Sequence, residues 1–89
     1  MTKVSYHPGE DAVFIHVRDL PSARTEEVAD NIMVDYSDDG QIVGYDIQDA
    51  RGKLDCISKL ISTLPSPVTY IVHEARAEQV SELFHHSFG

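Results

Sequence analysis

The chain has 89 residues, of which 42% are hydrophobic and 25% are charged. This composition is typical of a soluble globular domain and argues against an intrinsically disordered chain. Fifteen acidic residues against seven basic ones give a net charge of −8, which argues against nucleic-acid binding because that function needs a basic surface.

Two further features bear on where the protein resides. No apolar run approaches the roughly 18 residues that a membrane helix requires, so we expect no membrane interaction. Cys56 is the only cysteine, which excludes an internal disulfide and fits a reducing compartment. The sequence therefore predicts a cytoplasmic protein.

Apolar residues alternate with polar ones in the N-terminal half, a pattern that predicts β-strands. The predicted strands are residues 3–7, 12–18, 31–36 and 41–48. A proline-glycine turn joins the first two strands into a hairpin. The segment 19–30 reads as a loop that ends in a short helical or strand-like piece.

The acidic, glycine-closed turn between the last two of these strands sets their register. A four-residue loop places Val34 opposite Val43. A three-residue loop with a bulge would instead oppose Ile32 to Asp46 and bury an unpaired carboxylate, which costs several kcal/mol. The sequence therefore predicts the four-residue loop, with Ile32 opposite Tyr45. The predicted apolar face consists of Ile32, Val34, Tyr36, Val43, Tyr45 and Ile47.

The C-terminal half shows helical spacing on both sides of one β-branched segment. Residues 53–64 are predicted to form a helix with an apolar stripe of Leu54, Ile57, Leu60, Ile61 and Leu64. Residues 68–72 read as a strand, and residues 75–88 as a second helix.

The predicted fold is α+β. It consists of an antiparallel sheet of four or five strands, meander-like in its N-terminal half, packed with two C-terminal helices. One domain spans residues 1–89, with a β-rich half at 1–50 and a helix–strand–helix extension at 51–89.

Two stretches, YHPGEDAVFIHV and TEEVADNIMVDYSDDGQIVGYDIQDA, resemble the bacterial and archaeal family catalogued as domain of unknown function 2283. The shared pattern is an aromatic residue, a short acidic turn and an aliphatic strand, followed by the VDY and IVG strands and a terminal Asp-Ala. His7 and Gly9 depart from the acidic residues usual in the first turn. The resemblance covers residues 6–17 and 25–50; it implies the strands described above and no activity.

Three polar residues are candidate metal ligands. In the predicted register Asp35 and Asp46 face away from the core on neighbouring strands, and His16 lies on the outer face of the second strand. One histidine and two carboxylates would suit a zinc or manganese ion. The competing interpretation is a solvated polar face, and the sequence favours it because no His or Cys spacing typical of metal sites is present. No cofactor is predicted.

Apolar residues on the same outer face are candidates for an interface. They are Phe14, Met33 and Ile42. A second copy of the chain would cover such a surface in a homodimer, whereas a helix packed on this face would cover it within one chain.

Three functions remain open from the sequence. The favoured one is a non-catalytic interaction or regulatory module that self-associates. The second is a small metal-dependent enzyme that uses the outer-face histidine and aspartates. The third is an acidic, antitoxin-like or accessory partner of a basic protein.

Overall fold

A computed structural model describes residues 2–73, which form six strands and two short helical segments. The strands are β1 (Thr2–His7), β2 (Ala12–His16), β3 (Arg24–Ala29), β4 (Ile32–Tyr36), β5 (Ile42–Gln48) and β6 (Val68–Val72). A single 3₁₀ turn, Ala50–Lys53, leads into helix α1, Leu54–Ser62, and both lie between β5 and β6.

All six strands belong to one mixed sheet with the order β3-β4-β5-β2-β1-β6. Every neighbouring pair is antiparallel except β1 and β6, which are parallel. It follows that β5 and β6 run in the same direction. Strands that run in the same direction need a crossover connection. The connection from β5 to β6 passes over β2 and β1, and α1 is its helical part.

The core lies between α1 and one face of the sheet. Ile57 is the buried residue of α1, and it packs with Val4, Val13, Ile15, Ile47 and Ala50. Leu60, Ile61 and Leu64 pack against this cluster, as the predicted stripe requires. Leu54 was predicted in the same stripe but is 64% exposed, because it begins the helix one turn ahead of the core contact at Ile57. Within residues 2–73 no helix has the length and apolarity to cross a bilayer.

The predicted antiparallel sheet of four or five strands packed with two helices is wrong. The sheet has six strands and is mixed, and residues 2–73 contain one α-helix. For the segment that contains β3, the sequence predicts only a loop ending in a short helical or strand-like piece, because all six residues of β3 are exposed and show no apolar alternation. The composition of β6 identified a strand without revealing that it runs parallel to β1. The second predicted helix, at residues 75–88, lies outside the described residues.

The turn between β4 and β5 is a three-residue loop, so the predicted four-residue loop is wrong. The Ser37 N–H donates to the Gln41 carbonyl at 2.9 Å, and the Gly40 N–H donates to the Ser37 carbonyl at 3.0 Å. Gly40 has a φ of 82°, the left-handed conformation that closes a three-residue hairpin loop.

A register shift next to this turn restores the burial pattern. It lies between Asp35 and Tyr36, and beyond it Ile32 pairs with Ile47. The carboxylate of Asp46 therefore still faces away from the core, and the predicted burial of Val34, Val43 and Ile47 is confirmed. The predicted partners are each wrong by two residues, since Val34 lies opposite Tyr45 and not Val43.

The backbone hydrogen bonds show which residue pairs between β4 and β5 are hydrogen-bonded pairs and which are non-hydrogen-bonded pairs. The Gln48 N–H donates to the Asn31 carbonyl at 2.8 Å, so these two residues form a hydrogen-bonded pair. Antiparallel ladders alternate hydrogen-bonded and non-hydrogen-bonded pairs. The next pair, Ile32 with Ile47, is therefore of the non-hydrogen-bonded kind, in which the two Cα atoms are closest.

Gly44 lies on β5 directly beside the backbone of β2. The Val43 carbonyl accepts hydrogen bonds from the Val17 and Arg18 N–H groups, at 2.8 and 3.1 Å. A Cβ atom added at Gly44 would overlap the carbonyl oxygen of Ile15, which is backbone and cannot rotate away. This position in the middle of the sheet therefore requires glycine.

Gly44→Ala is expected to lower the free energy of unfolding by about 1–3 kcal/mol, the usual cost of forcing atoms into a packed interior. Gly52→Ala is the matched control, because its added Cβ would make an ordinary 3.5 Å contact with the Asp49 carboxylate. We expect the control to stay within about 0.5 kcal/mol of the wild type in urea unfolding. Equal stabilities of the two variants would contradict the close approach at Gly44.

Candidate functional site

The face of the sheet opposite α1, here called the outer face, holds the residues that the sequence singled out. Side chains alternate along a strand, so the neighbours of the core residues point to this side. Two rows of paired residues cross β2, β5 and β4 there. One row is His16–Gly44–Asp35, and the other is Phe14–Asp46–Met33.

The three candidate metal ligands share the outer face. His16 and Asp35 flank Gly44, so their Cα atoms are two strand spacings apart, roughly 9–10 Å. Asp46 lies one row away from both. No group of three His, Cys, Asp or Glu side chains within residues 2–73 is arranged to hold a metal ion. The metal site stays a prediction.

Both candidate carboxylates are engaged within the sheet. Asp35 accepts a hydrogen bond from the Thr25 hydroxyl of β3 at 2.5 Å. Asp46 accepts one from the side-chain amide of Gln48, on its own strand, at 2.6 Å. These bonds hold the two side chains against the sheet surface and use part of their acceptor capacity.

The candidate interface residues are half-buried, and they do not form one patch. Phe14 and Met33 lie in the same row but on either side of Asp46. Ile42 lies beyond the register shift, opposite Tyr36. A partner on this face would therefore have to accommodate the Asp46 carboxylate between two apolar contacts.

An aromatic cluster that sequence reasoning missed extends the outer face towards β6. The rings of His7 and His73 stack with centroids 4.2 Å apart and planes 8° apart. Phe14 meets His7 edge-on, with centroids 5.0 Å apart. Strand alternation could have placed His7 beside Phe14, but His73 joins them only because β6 pairs with β1.

Tyr45 and Tyr36 lie near each other at the margin of the core. Burial raises the pKa of the Tyr45 phenol, and the neighbouring Tyr36 raises it further. The ring of Tyr36 is covered by the Arg24 guanidinium, whose central carbon lies 4.5 Å from the ring centroid. The contact of Tyr36 with Arg24 therefore joins the margin of the core to the edge strand β3.

The acidic turn is a self-contained hydrogen-bonded structure. The hydroxyl of Ser37, a residue only 5% exposed, donates to the Asp39 carboxylate, and the Gln41 side-chain amide donates to it at 2.5 Å. These two hydrogen bonds, the Ser37 bond foremost, hold the pKa of Asp39 below its ordinary value. The predicted structural role of this turn fits these contacts.

Asp11 links the first hairpin to the start of the 3₁₀ turn. Its carboxylate accepts the Arg51 backbone N–H at 3.0 Å and the Arg51 Nε–H at 3.3 Å. Its backbone carbonyl accepts the Ala50 N–H at 2.9 Å. Asp11 has a φ of 51°, a left-handed conformation that Asp and Asn adopt more readily than most residues.

Comparison with known proteins identifies the N-terminal part of the chain. The model of the family described as "Protein of unknown function (DUF2283)" matches residues 3–51, more than half of the chain. The chain belongs to the DUF2283 family. The resemblance inferred from the sequence motifs is therefore confirmed. No curated protein matches the chain, and no solved structure matches it.

The DUF2283 match covers five neighbouring strands of the sheet. It runs from β1 through β5 into the 3₁₀ turn, so α1 and β6 lie beyond it. The Ala50 that ends the family pattern is held by the turn between β1 and β2. The Ala50 N–H donates to the backbone carbonyl of Asp11, and the Arg51 N–H donates to the Asp11 carboxylate. The beginning and the end of the family pattern are thus in direct contact in the fold.

The Asp39 hydrogen bonds predict a pH-dependent contribution to stability. A carboxyl whose pKa is lower in the folded state stabilises the fold above its unfolded pKa, and this stabilisation is lost as pH falls through the folded pKa. Asp39→Asn should therefore lower the free energy of unfolding at neutral pH, with the deficit shrinking below about pH 4. Asp38→Asn changes the same charge in the same turn and is the control for general charge effects. Parallel pH profiles for the two variants would refute the role of Asp39.

The contact of Asp11 with Arg51 predicts an ordered series of stabilities. Asp11→Ala removes the acceptor and is expected to cost about 2 kcal/mol of unfolding free energy. Asp11→Asn keeps an acceptor and tolerates the left-handed backbone, so its cost should stay below about 1 kcal/mol. Arg51→Ala loses only an exposed ion pair and should cost no more than about 0.5 kcal/mol. If urea unfolding shows that Arg51→Ala has the lowest free energy of unfolding of the three variants, this account is contradicted.

Proposed function

We propose that this DUF2283 protein is a small non-catalytic interaction module that self-associates. The observation that carries the proposal is the exposure of large apolar side chains on a small domain. Tyr70 and Val72, which lie two residues apart on β6, are 62% and 64% exposed. Exposed apolar surface on a soluble domain marks an interaction site, and a second copy of the same chain is the commonest partner.

Four of the carboxylates within residues 2–73 support a structural use of the acidic positions. Asp11, Asp35, Asp39 and Asp46 each accept a hydrogen bond from a neighbouring side chain or N–H group. A general acid or base must instead present its carboxyl group to a substrate. These contacts favour an interaction module over an enzyme.

The net charge of −8 sets a condition on self-association. Two acidic copies repel each other at long range, so they are expected to meet through a part of the surface that carries no charge. Salt screens this repulsion, with a Debye length of about 10 Å at 0.1 M ionic strength. Association should therefore strengthen as salt is added.

Sedimentation equilibrium of the full chain tests the proposal. We expect a monomer–dimer equilibrium that shifts towards the dimer between low and moderate ionic strength. A mass that stays at the 9.9 kDa of one chain at every protein and salt concentration would overturn the proposal.

The outer face of the sheet remains one predicted location of the dimer interface. Met33→Asp would place a second carboxylate beside Asp46 on that face. Dissociation of the dimer by this variant would locate the interface on the outer face, and an unchanged dimer would reject that location.

A further inference from the structure

The two edges of the sheet differ in how they are protected from pairing with another strand. β3 is fully exposed, carries Arg24, Glu26 and Glu27, and has a register irregularity between Glu27 and Ala29. Charged side chains and bulges are devices that prevent edge-to-edge pairing. β6, at the opposite edge, reads Val-Thr-Tyr-Ile-Val and has none of these devices along its five residues.

The ladder between β1 and β6 determines which backbone groups of β6 face outward. The Thr2 N–H donates to the Pro67 carbonyl at 3.4 Å, and the His73 N–H donates to the Tyr6 carbonyl at 2.8 Å. Between these ends of the parallel ladder, alternate residues bond to β1, so Thr69 and Ile71 turn their N–H and C=O groups inward. Val68, Tyr70 and Val72 therefore present theirs to the outer edge.

We propose that the chain forms a two-fold dimer in which β6 pairs antiparallel with β6 of a second copy, centred on Tyr70; this rests on the self-association proposed above. Tyr70 then lies opposite Tyr70 of the partner subunit, and Val68 lies opposite Val72 of the partner subunit. In this register the outward N–H and C=O groups of all three residues find partners, as in hydrogen-bonded antiparallel pairs. The result is one continuous sheet across both copies.

The side chains of β6 fit a second copy because they are self-complementary. Val68, Tyr70 and Val72 point to the side of the sheet that carries α1, where Val68 already packs against the core. Pairing would cover Tyr70 and Val72, which are 62% and 64% exposed, with the same residues of the partner.

Charge also favours this edge. A β6 pair brings no charged side chain of the strand against its copy, which matters for a chain of net charge −8. A β3 pair centred on Glu26 would oppose that carboxylate to itself, an arrangement that destabilises paired strands.

Charge substitutions at Tyr70 test the pairing and its register. Tyr70→Glu and Tyr70→Lys each place like charges opposite each other on the two-fold axis, so each should raise the dimer dissociation constant by about tenfold or more. An equimolar mixture of the two variants should restore the dimer, because Lys then lies opposite Glu. Leu54→Glu is the matched control, since Leu54 has a similar exposure on the helix, and it should dimerise like the wild type. Circular dichroism checks that each variant is folded.

The outcomes separate this inference from the proposed function. If the wild type and the Tyr70→Glu variant dimerise equally well, the β6 interface is rejected and the proposal of self-association stands. A mixture of the two charged variants that stays monomeric would reject the register centred on Tyr70. A monomeric wild type whose Tyr70 and Val72 amides resist hydrogen exchange would show that another part of the same chain covers this edge, and it would overturn both proposals.

Discussion

The fold depends on the register of β5, which lies in the sheet between two strands from different parts of the chain. Ile47 is fully buried, whereas Asp46 beside it faces out and bonds to the Gln48 amide. A slip of one residue would exchange the two positions, and burying an unpaired carboxylate costs several kcal/mol. The three-residue turn would impose such a slip, and the register shift between Asp35 and Tyr36 cancels it.

Two contacts of the polypeptide backbone complete this arrangement. Gly44 lets β5 approach β2, and Asp11 holds the chain where β5 leads into the 3₁₀ turn. Both contacts lie within the segment that matches the DUF2283 family. Helix α1 covers its apolar face and carries the chain across to β6. The sheet therefore ends in one charged edge and one uncharged edge, and this difference underlies the proposed interaction.

Sequence patterns predicted the strands that have one buried face, because alternation is visible there. β3 was predicted only as a short helical or strand-like piece at the end of a loop, because an edge strand with every side chain exposed shows no alternation. The predicted length of the β4–β5 loop was wrong because the burial of apolar side chains constrains only the final register of the two strands. A three-residue loop with a compensating register shift buries the same side chains as a four-residue loop. The same argument still placed Asp35 and Asp46 on the outer face. It could not show that Asp46 separates Phe14 from Met33, since that depends on which residues pair across the strands.

The most direct test is the pairing of β4 with β5 in solution, measured by nuclear Overhauser effects between Hα protons. Non-hydrogen-bonded antiparallel pairs bring these protons closest together. The account predicts strong contacts between Ile32 and Ile47 and between Val34 and Tyr45. Contacts of Val34 with Val43 and of Ile32 with Tyr45 would instead show that the register shift is absent and would contradict the account.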